Sequence, residues 1–293
     1  MLLGALAATC ASCGWAAGMM IAHAPARQLG AFEFTRIQLL TSGFTMGMLA
    51  AIFGYWQSVS WDEWPAFLFS ILVGVILGNL AMVECLRRCT PRETELIISL
   101  KAPIVALLAY LYLGETLTLS DMIGGSVVLA GIALAVTSGK NREQSAPKGH
   151  TGAVILFGGL AALSQGIGFL ALKPAMLAGS EPIALSAIRL LGAAFVVSLI
   201  ALWPFPNTRE KATLTPALLL RTTTPGLIGY CISTTLLLYA FAHIEAGIAA
   251  VLGSLSPVLI LPMAWIVEGR RPSLQASLGA FLSVFGCAII VLC

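Results

Sequence analysis

Charged residues are scarce in this chain: they make up 10% of its 293 residues, whereas hydrophobic residues make up 58%. A soluble globular protein carries about 25% charged residues, so this composition cannot supply a surface that faces water. Aspartate occurs only at Asp62 and Asp121, in separate connections, and there are only three histidines. The sequence therefore indicates an integral membrane protein and excludes an appended catalytic domain, because no connection is long enough to form one.

Motifs for catalysis and for nucleic-acid binding are also missing. The sequence contains no HExxH motif, no paired aspartate motif and no lysine that follows a glycine-rich phosphate-binding turn. Its net charge of +3 comes from short connections and does not indicate a nucleic-acid partner. Cys10 and Cys13 are spaced as CxxC, but further soft ligands are lacking nearby, so we expect neither a metal site nor a cofactor.

Polar, proline and glycine positions divide the chain into ten apolar segments, each close to the 20 or so residues that a helix needs to cross a bilayer. The predicted segments are 2–22, 32–55, 65–85, 94–113, 119–137, 151–172, 183–203, 218–242, 246–267 and 274–292. The connection of most soluble character lies near the midpoint. This pattern predicts a first unit over 1–138, a linker over 139–150 and a second unit over 151–293.

The two units repeat one pattern. Arg36 matches Arg189 at an offset of 153 residues, and Pro103 matches Pro257 at an offset of 154. Because five is an odd number, the second unit enters the bilayer from the opposite side. We therefore predict an all-α membrane fold with ten transmembrane helices in two inverted five-helix repeats. Inverted repeats suit alternating access, so the architecture favours a transporter over a membrane-embedded enzyme or a passive channel.

Lysine and arginine are distributed unevenly between the connections. Odd-numbered connections hold twelve of them, whereas the even-numbered connections and both termini hold only Lys173. Cytoplasmic loops carry an excess of lysine and arginine. We therefore predict that the central linker is cytoplasmic and that both termini lie outside.

These features together resemble the drug/metabolite transporter superfamily, and in particular its ten-helix EamA-type members. The resemblance covers essentially the whole chain. It is carried by an arginine in the second helix of each half, a proline-broken fourth helix that ends in glutamate, and a glycine-rich fifth helix. The residues concerned are Arg36, Pro103, Glu115, Gly124, Gly125 and Gly131 in the first half, and Arg189, Pro257, Glu268, Gly279 and Gly286 in the second.

Lys101 is the charged residue placed deepest in an apolar segment, two positions before Pro103. A charge at mid-membrane costs about 2.5–3.5 kcal/mol on insertion scales, so Lys101 is a candidate to bind a substrate carboxylate or phosphate. The alternative is a structural ion pair with Glu84 or Glu95. The matching region of the second half offers hydroxyls but no cation. The predicted binding residues of this region are Ser99, Lys101, Ser254 and Ser256, and the predicted hinges are Pro103 and Pro257.

Other charged residues in or at the ends of the apolar segments are interpreted as follows. Glu84 is predicted to couple transport to protons, with neutralisation of a nearby arginine as the alternative. Arg36 and Arg189 recur in both halves and are interpreted as scaffold that bonds neighbouring helix ends, with substrate contact as the alternative. Glu115 and Glu268 are interpreted as caps of helix junctions.

The family resemblance implies a central cavity lined by uncharged groups, for which we predict Trp15, Asn79, Gln165, Tyr230 and Tyr239. The predicted function is secondary active transport of a small polar or amphipathic metabolite, amino-acid-like or carboxylate-bearing, by proton coupling or exchange. The expected location is the bacterial cytoplasmic (inner) membrane. The expected partners are the substrate, the lipid bilayer and protons, without nucleic acid, and the expected assembly is a monomer or homodimer.

Overall fold

The computed structural model describes residues 1–115, 118–137, 151–202, 214–268 and 273–292, so the predicted linker over 139–150 lies outside the described residues. Regular structure in the described part is entirely helical, as expected of apolar segments that must satisfy their backbone hydrogen bonds internally. Seven helical stretches are long and apolar enough to cross a membrane. Two shorter apolar helices, Leu119–Leu134 and Leu274–Ile289, accompany them.

The helices of the first half begin with one long element and end with a regular one. They are α1 (Leu2–Ile52), α2 (Trp64–Phe69, a π-helical stretch Ser70–Leu77, and Gly78–Arg88), α3 (Pro91–Ile98 and Lys101–Leu113) and α4 (Leu119–Thr137). Short 3₁₀ turns, Tyr55–Ser58 and Trp61–Glu63, connect α1 to α2.

The second half repeats the same irregularities in the same order. Its helices are α5 (Thr151–Leu170, followed by the short helix Lys173–Leu177), α6 (Pro182–Leu202), α7 (Pro216–Gly226, a π-helical stretch Leu227–Ser233, and Thr234–His243), α8 (Ala246–Leu252 and Ser256–Glu268) and α9 (Leu274–Leu292). A helix with a π-helical stretch therefore precedes a broken helix in each half.

Helix α1 is long enough for two membrane crossings. Its 51 residues, at a rise of 1.5 Å per residue, would extend about 77 Å, more than twice the roughly 30 Å of hydrocarbon in a bilayer. The helix breaks at Gly30, whose φ of 76° and ψ of 164° are strained for any residue with a Cβ. Apart from Gly30, the connection that was predicted from the sequence between residues 22 and 32 is helical.

The first arm of α1 runs antiparallel to α7. Gly14 packs on the side chain of Ser233, and further along the arm Gly18 packs on the backbone of Pro225. Residue numbers thus rise along the arm while they fall along α7. The absence of a Cβ at Gly14 is required here, because a Cβ would overlap the Ser233 hydroxyl.

The second arm runs parallel to α7. The Gln38 side chain donates a hydrogen bond to the Thr222 carbonyl over 3.2 Å, and the Cys231 thiol contacts the Ser42 carbonyl at 3.6 Å. Residue numbers rise together along both helices. Because one arm is antiparallel and the other parallel to α7, the two arms form a hairpin that reverses at Gly30.

Equivalent helices of the two halves run in opposite directions. A Cβ at Gly131 in α4 would lie 2.7 Å from the Gly279 carbonyl oxygen in α9, and a Cβ at Gly286 in α9 would lie 2.7 Å from the Gly124 carbonyl oxygen in α4. Gly124 and Gly131 are the repeat equivalents of Gly279 and Gly286, so one contact is made twice by two antiparallel helices. This reciprocal packing shows the inverted relation of the repeats, which the sequence predicted.

Candidate functional site

A central cavity of about 350 Å³ lies between the two repeats. Its wall combines the first arm of α1 and α2 from the first repeat with α5, α6 and α7 from the second. The lining residues are Trp15, Gly74, Val75, Asn79, Gln165, Phe169, Ser186, Arg189, Leu190, Tyr230 and Thr234.

The π-helical stretches of α2 and α7 form opposite parts of this wall. A π-helical turn changes the direction in which side chains point, and such turns occur frequently at functional sites. The Thr234 hydroxyl donates to the carbonyl five residues earlier, at Gly229, over 3.1 Å, so it satisfies a backbone group that the irregular turn exposes. Gly74 lies in the π-helical stretch of α2 and Gly229 in that of α7.

Arg189 is the charged residue of the cavity wall. It is 4% exposed, and its Nε and Nη1 atoms have no hydrogen-bond partner among the residues that the structure describes. The guanidinium carbon lies 4.3 Å from the centroid of the Phe169 ring, a cation–π contact. The sequence analysis grouped Arg189 with Arg36 as scaffold, but the two differ: Arg36 pairs with Glu33 on its own helix at 2.7 Å.

Two aromatic residues divide the central cavity from a second one. The rings of Trp15 and Tyr230 meet edge to face with centroids 5.7 Å apart, and both residues line both cavities. The second cavity, of about 310 Å³ and mostly apolar, extends towards the Gly30 turn of α1, with Ala22, Phe34 and Leu86 in its wall.

Four residues predicted from the sequence line the central cavity: Trp15, Asn79, Gln165 and Tyr230. The Gln165 side-chain amide donates to the Asn79 carbonyl oxygen over 3.4 Å. Tyr239 lies elsewhere, where its ring stacks on His243 with a centroid separation of 4.0 Å. Their roles in binding stay predictions.

The predicted site around Lys101 lies outside the lining of both cavities. Lys101 follows the break in α3, is 8% exposed, and interacts with the buried carboxylate of Glu95, which also contacts the Ser256 hydroxyl beside the break in α8. The hydroxyls of Ser99 and Ser254 donate to carbonyls of their own helices. Glu95, one of the two carboxylates that the sequence offered as a structural partner, thus acts electrostatically on Lys101; the role of Lys101 in binding stays a prediction.

The two prolines predicted as hinges follow these breaks. Pro103 lies in the first turn of Lys101–Leu113, and Pro257 is the second residue of Ser256–Glu268. At the first break the Ser99 carbonyl accepts a hydrogen bond from the Ala102 amide over 3.0 Å. The regular helix is therefore interrupted here, but the Ser99 carbonyl still has a hydrogen-bond partner.

Glu84, the predicted coupling residue, contacts two arginines on its own helix. Its carboxylate accepts hydrogen bonds of 2.9 Å from Arg87 Nη1 and of 2.9 Å from Arg88 Nε. It lies outside the lining of both cavities. This arrangement matches the neutralising role that the sequence gave as the alternative to proton coupling.

The repeats are joined by an ion pair at the end of the molecule where α5 finishes, opposite the start of α5 at Thr151, and we call this the distal end. Lys173, after α5, pairs with Glu115, after α3, and also donates to the Ile244 carbonyl over 3.1 Å. The other Glu115 oxygen accepts a hydrogen bond of 2.7 Å from the amide of Ala246, at the start of α8. Glu115 thus caps a helix of the other repeat; the side chain of Glu268 lies outside the described residues.

A second set of contacts joins the same end. The Ser60 amide donates to the Ser180 hydroxyl, and the Glu181 amide donates to the Ser58 hydroxyl, each over 3.0 Å. These bonds tie the α1–α2 connection of the first repeat to the α5–α6 connection of the second. Polar contacts therefore join the two repeats at the distal end.

Sequence reasoning did not select Arg189, Phe169 and Ser186 as cavity residues. The position of Arg189 within an apolar segment did indicate a functional residue. Because the first half has a matching arginine, Arg36, a structural interpretation was favoured. Only the tertiary structure separates an arginine with an acidic partner from one without.

The fold and the cavity define the class: an integral, multi-pass membrane protein built as two repeats of a transporter unit. The model of the EamA-like transporter family matches residues 2–137 and again residues 152–292. The chain therefore belongs to the EamA-like transporter family, which places it among membrane transporters of the drug/metabolite type.

Comparison with individual proteins adds evidence on the fold alone. No curated protein matches the sequence. A solved structure described only as the crystal structure of a protein is similar to this chain, with a TM-score of 0.80 over 99% of this chain and 96% of that chain. At 17% sequence identity that likeness concerns the arrangement of helices.

Proposed function

We propose that this protein is a secondary active transporter that moves a small polar or amphipathic metabolite, amino-acid-like or carboxylate-bearing, by alternating access. The observation that carries the proposal is the central cavity, whose wall is shared by two inverted repeats. Because the repeats are inverted, exchanging their conformations turns a cavity open to one side into a cavity open to the other. The polar contacts at the distal end are the contacts that this exchange must break.

Gradients are the proposed source of energy, through proton coupling or substrate exchange. We propose the cytoplasmic (inner) membrane of a bacterium as the location, with the linker in the cytoplasm, in agreement with the charge distribution of the connections. Glu84 remains the proposed coupling residue. Glu84→Gln should abolish accumulation driven by a pH gradient while leaving exchange intact. If the variant keeps both activities, the only role left for Glu84 is to neutralise its two neighbouring arginines.

Counterflow in proteoliposomes tests the transport function. Vesicles are loaded with unlabelled amino acids, monocarboxylates or nucleosides, and uptake of the labelled compound is followed. Trans-stimulated uptake indicates a carrier. Flux without trans-stimulation would indicate a passive channel, and the absence of flux across the panel would favour a membrane-embedded enzyme.

A matched pair of variants ties that flux to the cavity. Ser186 lines the cavity and is fully buried, so Ser186→Phe should fill the space and abolish counterflow. Gly159 has no atom within 4 Å of a Cβ built on it, so Gly159→Ala should transport at the wild-type rate. Equal flux through both variants would place the transport path elsewhere.

A further inference from the structure

Three side chains of the central cavity present polar atoms that have no hydrogen-bond partner in the described part of the chain. They are the guanidinium of Arg189, through Nε and Nη1, the indole N–H of Trp15 and the hydroxyl of Tyr230. Arginine and tryptophan only donate, and the tyrosine hydroxyl can donate too. Each buried polar group left unsatisfied is unfavourable, so this set of donors requires an acceptor that the described residues do not supply.

The missing acceptor must also carry charge. No aspartate or glutamate is among the residues that line the cavity, and the contact described for the Arg189 guanidinium is the face of the Phe169 ring. Buried charges in proteins are normally paired. The repeat equivalent Arg36 shows the usual solution, a carboxylate, supplied there by Glu33. The cavity thus lacks one negative charge.

The remaining wall determines the rest of the ligand. Val75, Phe169 and Leu190 are apolar, and the Trp15 and Tyr230 rings provide flat surfaces. Arg189 is the one cation among the residues that line this cavity, so a second negative charge on a ligand would stay unpaired. Positively charged ligands would be repelled by Arg189. These surfaces fit an amphipathic molecule with a single anionic group.

We propose that Arg189 binds the carboxylate of a singly charged amphipathic acid in the central cavity, with Trp15 and Tyr230 as additional donors. The planar guanidinium forms two parallel hydrogen bonds with a carboxylate, a geometry that lysine cannot reproduce. This assignment rests on the transport function proposed above and names the substrate class of the same cavity. It moves the anion-binding role from Lys101, where the sequence placed it, to Arg189.

Equilibrium binding to the purified full-length protein in lipid nanodiscs tests the assignment. The probes are phenylacetate, its neutral analogue phenylacetamide and the dianion phenylmalonate, measured by calorimetry and by the ligand-induced shift in Tm. Phenylacetate should bind the wild type at least tenfold more tightly than either analogue. If the wild type does not bind phenylacetate, or binds the amide equally well, the proposal is overturned.

Three variants separate Arg189 from general effects on the fold. Arg189→Gln should weaken phenylacetate binding at least tenfold, and Arg189→Lys should weaken it less, because the charge is kept and the paired geometry is lost. Arg36→Gln, the same change at the equivalent position of the other repeat, should bind like the wild type. If Arg189→Gln does not give folded protein, Arg189→Lys decides the question: wild-type affinity for phenylacetate in a folded Arg189→Lys variant contradicts the proposal.

The two proposals fail in different ways. Counterflow of a neutral metabolite that is insensitive to Arg189→Gln, together with equal affinities for acid and amide, would keep the transporter and reject the anion site. Binding of phenylacetate that depends on Arg189, without flux of any compound in proteoliposomes, would keep the anion site and reject transport.

Discussion

The ion pair between Lys173 and Glu115 should hold the distal end of the cavity closed. The Lys173 side chain is 7% exposed and that of Glu115 is 14% exposed, so removal of one partner leaves a largely buried charge behind. Breaking such a pair costs about 3–5 kcal/mol. We take about 3 kcal/mol for Glu115→Gln, because Glu115 keeps some contact with solvent.

That free energy sets the size of the expected change. At about 1.36 kcal/mol per factor of ten, the distal end of Glu115→Gln should be open roughly 150-fold more often than in the wild type. Lys173→Met should have a similar effect, and the double variant should be no worse than either single one, since the two residues act as one unit.

A cysteine at position 186 reports the opening. Ser186 lines the cavity, and serine and cysteine are similar in size, so Ser186→Cys in a background without other cysteines should preserve the wall. The labelling rate with a membrane-impermeant maleimide is measured from each side, in vesicles of both orientations. Glu33→Gln is the control, because the Glu33–Arg36 pair lies within one helix and joins no repeats.

The expected result is a large increase in labelling from the distal side with Glu115→Gln and little change with Glu33→Gln. Equal distal labelling of Glu115→Gln and the wild type, within threefold, would refute the reasoning that this pair holds the end closed.

Three further changes test other contacts. Gly168→Ala should lower the Tm by several degrees, because a Cβ there overlaps the Cα of Gly74 and overpacking costs about 1–3 kcal/mol. The control Gly152→Ala should leave the Tm unchanged, because the space around its Cβ is open. Equal Tm values for the two variants would contradict the close approach of the helices. Burial, followed by the negative charges of Asp121 and Glu115, raises the pKa of the Glu245 carboxyl. Ionised Glu245 therefore disfavours the closed distal end. Protonation of Glu245 removes this penalty as the pH falls through the raised pKa. Labelling of the reporter from the distal side should therefore slow at lower pH, and Glu245→Gln should remove that dependence; a dependence unchanged in the variant would exclude Glu245 as its source. Lys101→Met should destabilise the fold by leaving Glu95 buried without its cation, and Glu95→Gln added to it should restore the Tm; a stable double variant that no longer transports would return Lys101 to the substrate site.

The sequence was sufficient for the membrane class because the evidence is one-dimensional. The length of an apolar segment shows whether a helix can cross hydrocarbon. The nearly constant offset between matched residues, such as Arg36 with Arg189 and Pro103 with Pro257, indicates a duplication. The odd number of helices in each unit then implies inversion, which the antiparallel contact between Gly131 and Gly279 shows in space. These inferences require no knowledge of which side chains meet.

The site was predicted less completely, because a binding residue is defined by its neighbours. Trp15, Asn79, Gln165 and Tyr230 were selected as polar or aromatic groups in apolar segments, and they line the cavity. Lys101 satisfied the same criterion, yet Glu95 is close to it in the fold. The reversal between the first two segments was predicted between residues 22 and 32, but its form, a break at Gly30 inside otherwise continuous helical structure, was not.

Composition and repetition thus determined that the chain spans a membrane as two inverted units, because both properties depend only on the order of residues. The structure decided which charges are neutralised: Arg36 pairs with Glu33 and Lys173 pairs with Glu115, whereas the buried guanidinium of Arg189 faces the Phe169 ring and a cavity. The Lys173–Glu115 pair and the cavity around Arg189 depend on distances between helices that are far apart in the sequence, and those distances exist only once the repeats have packed together.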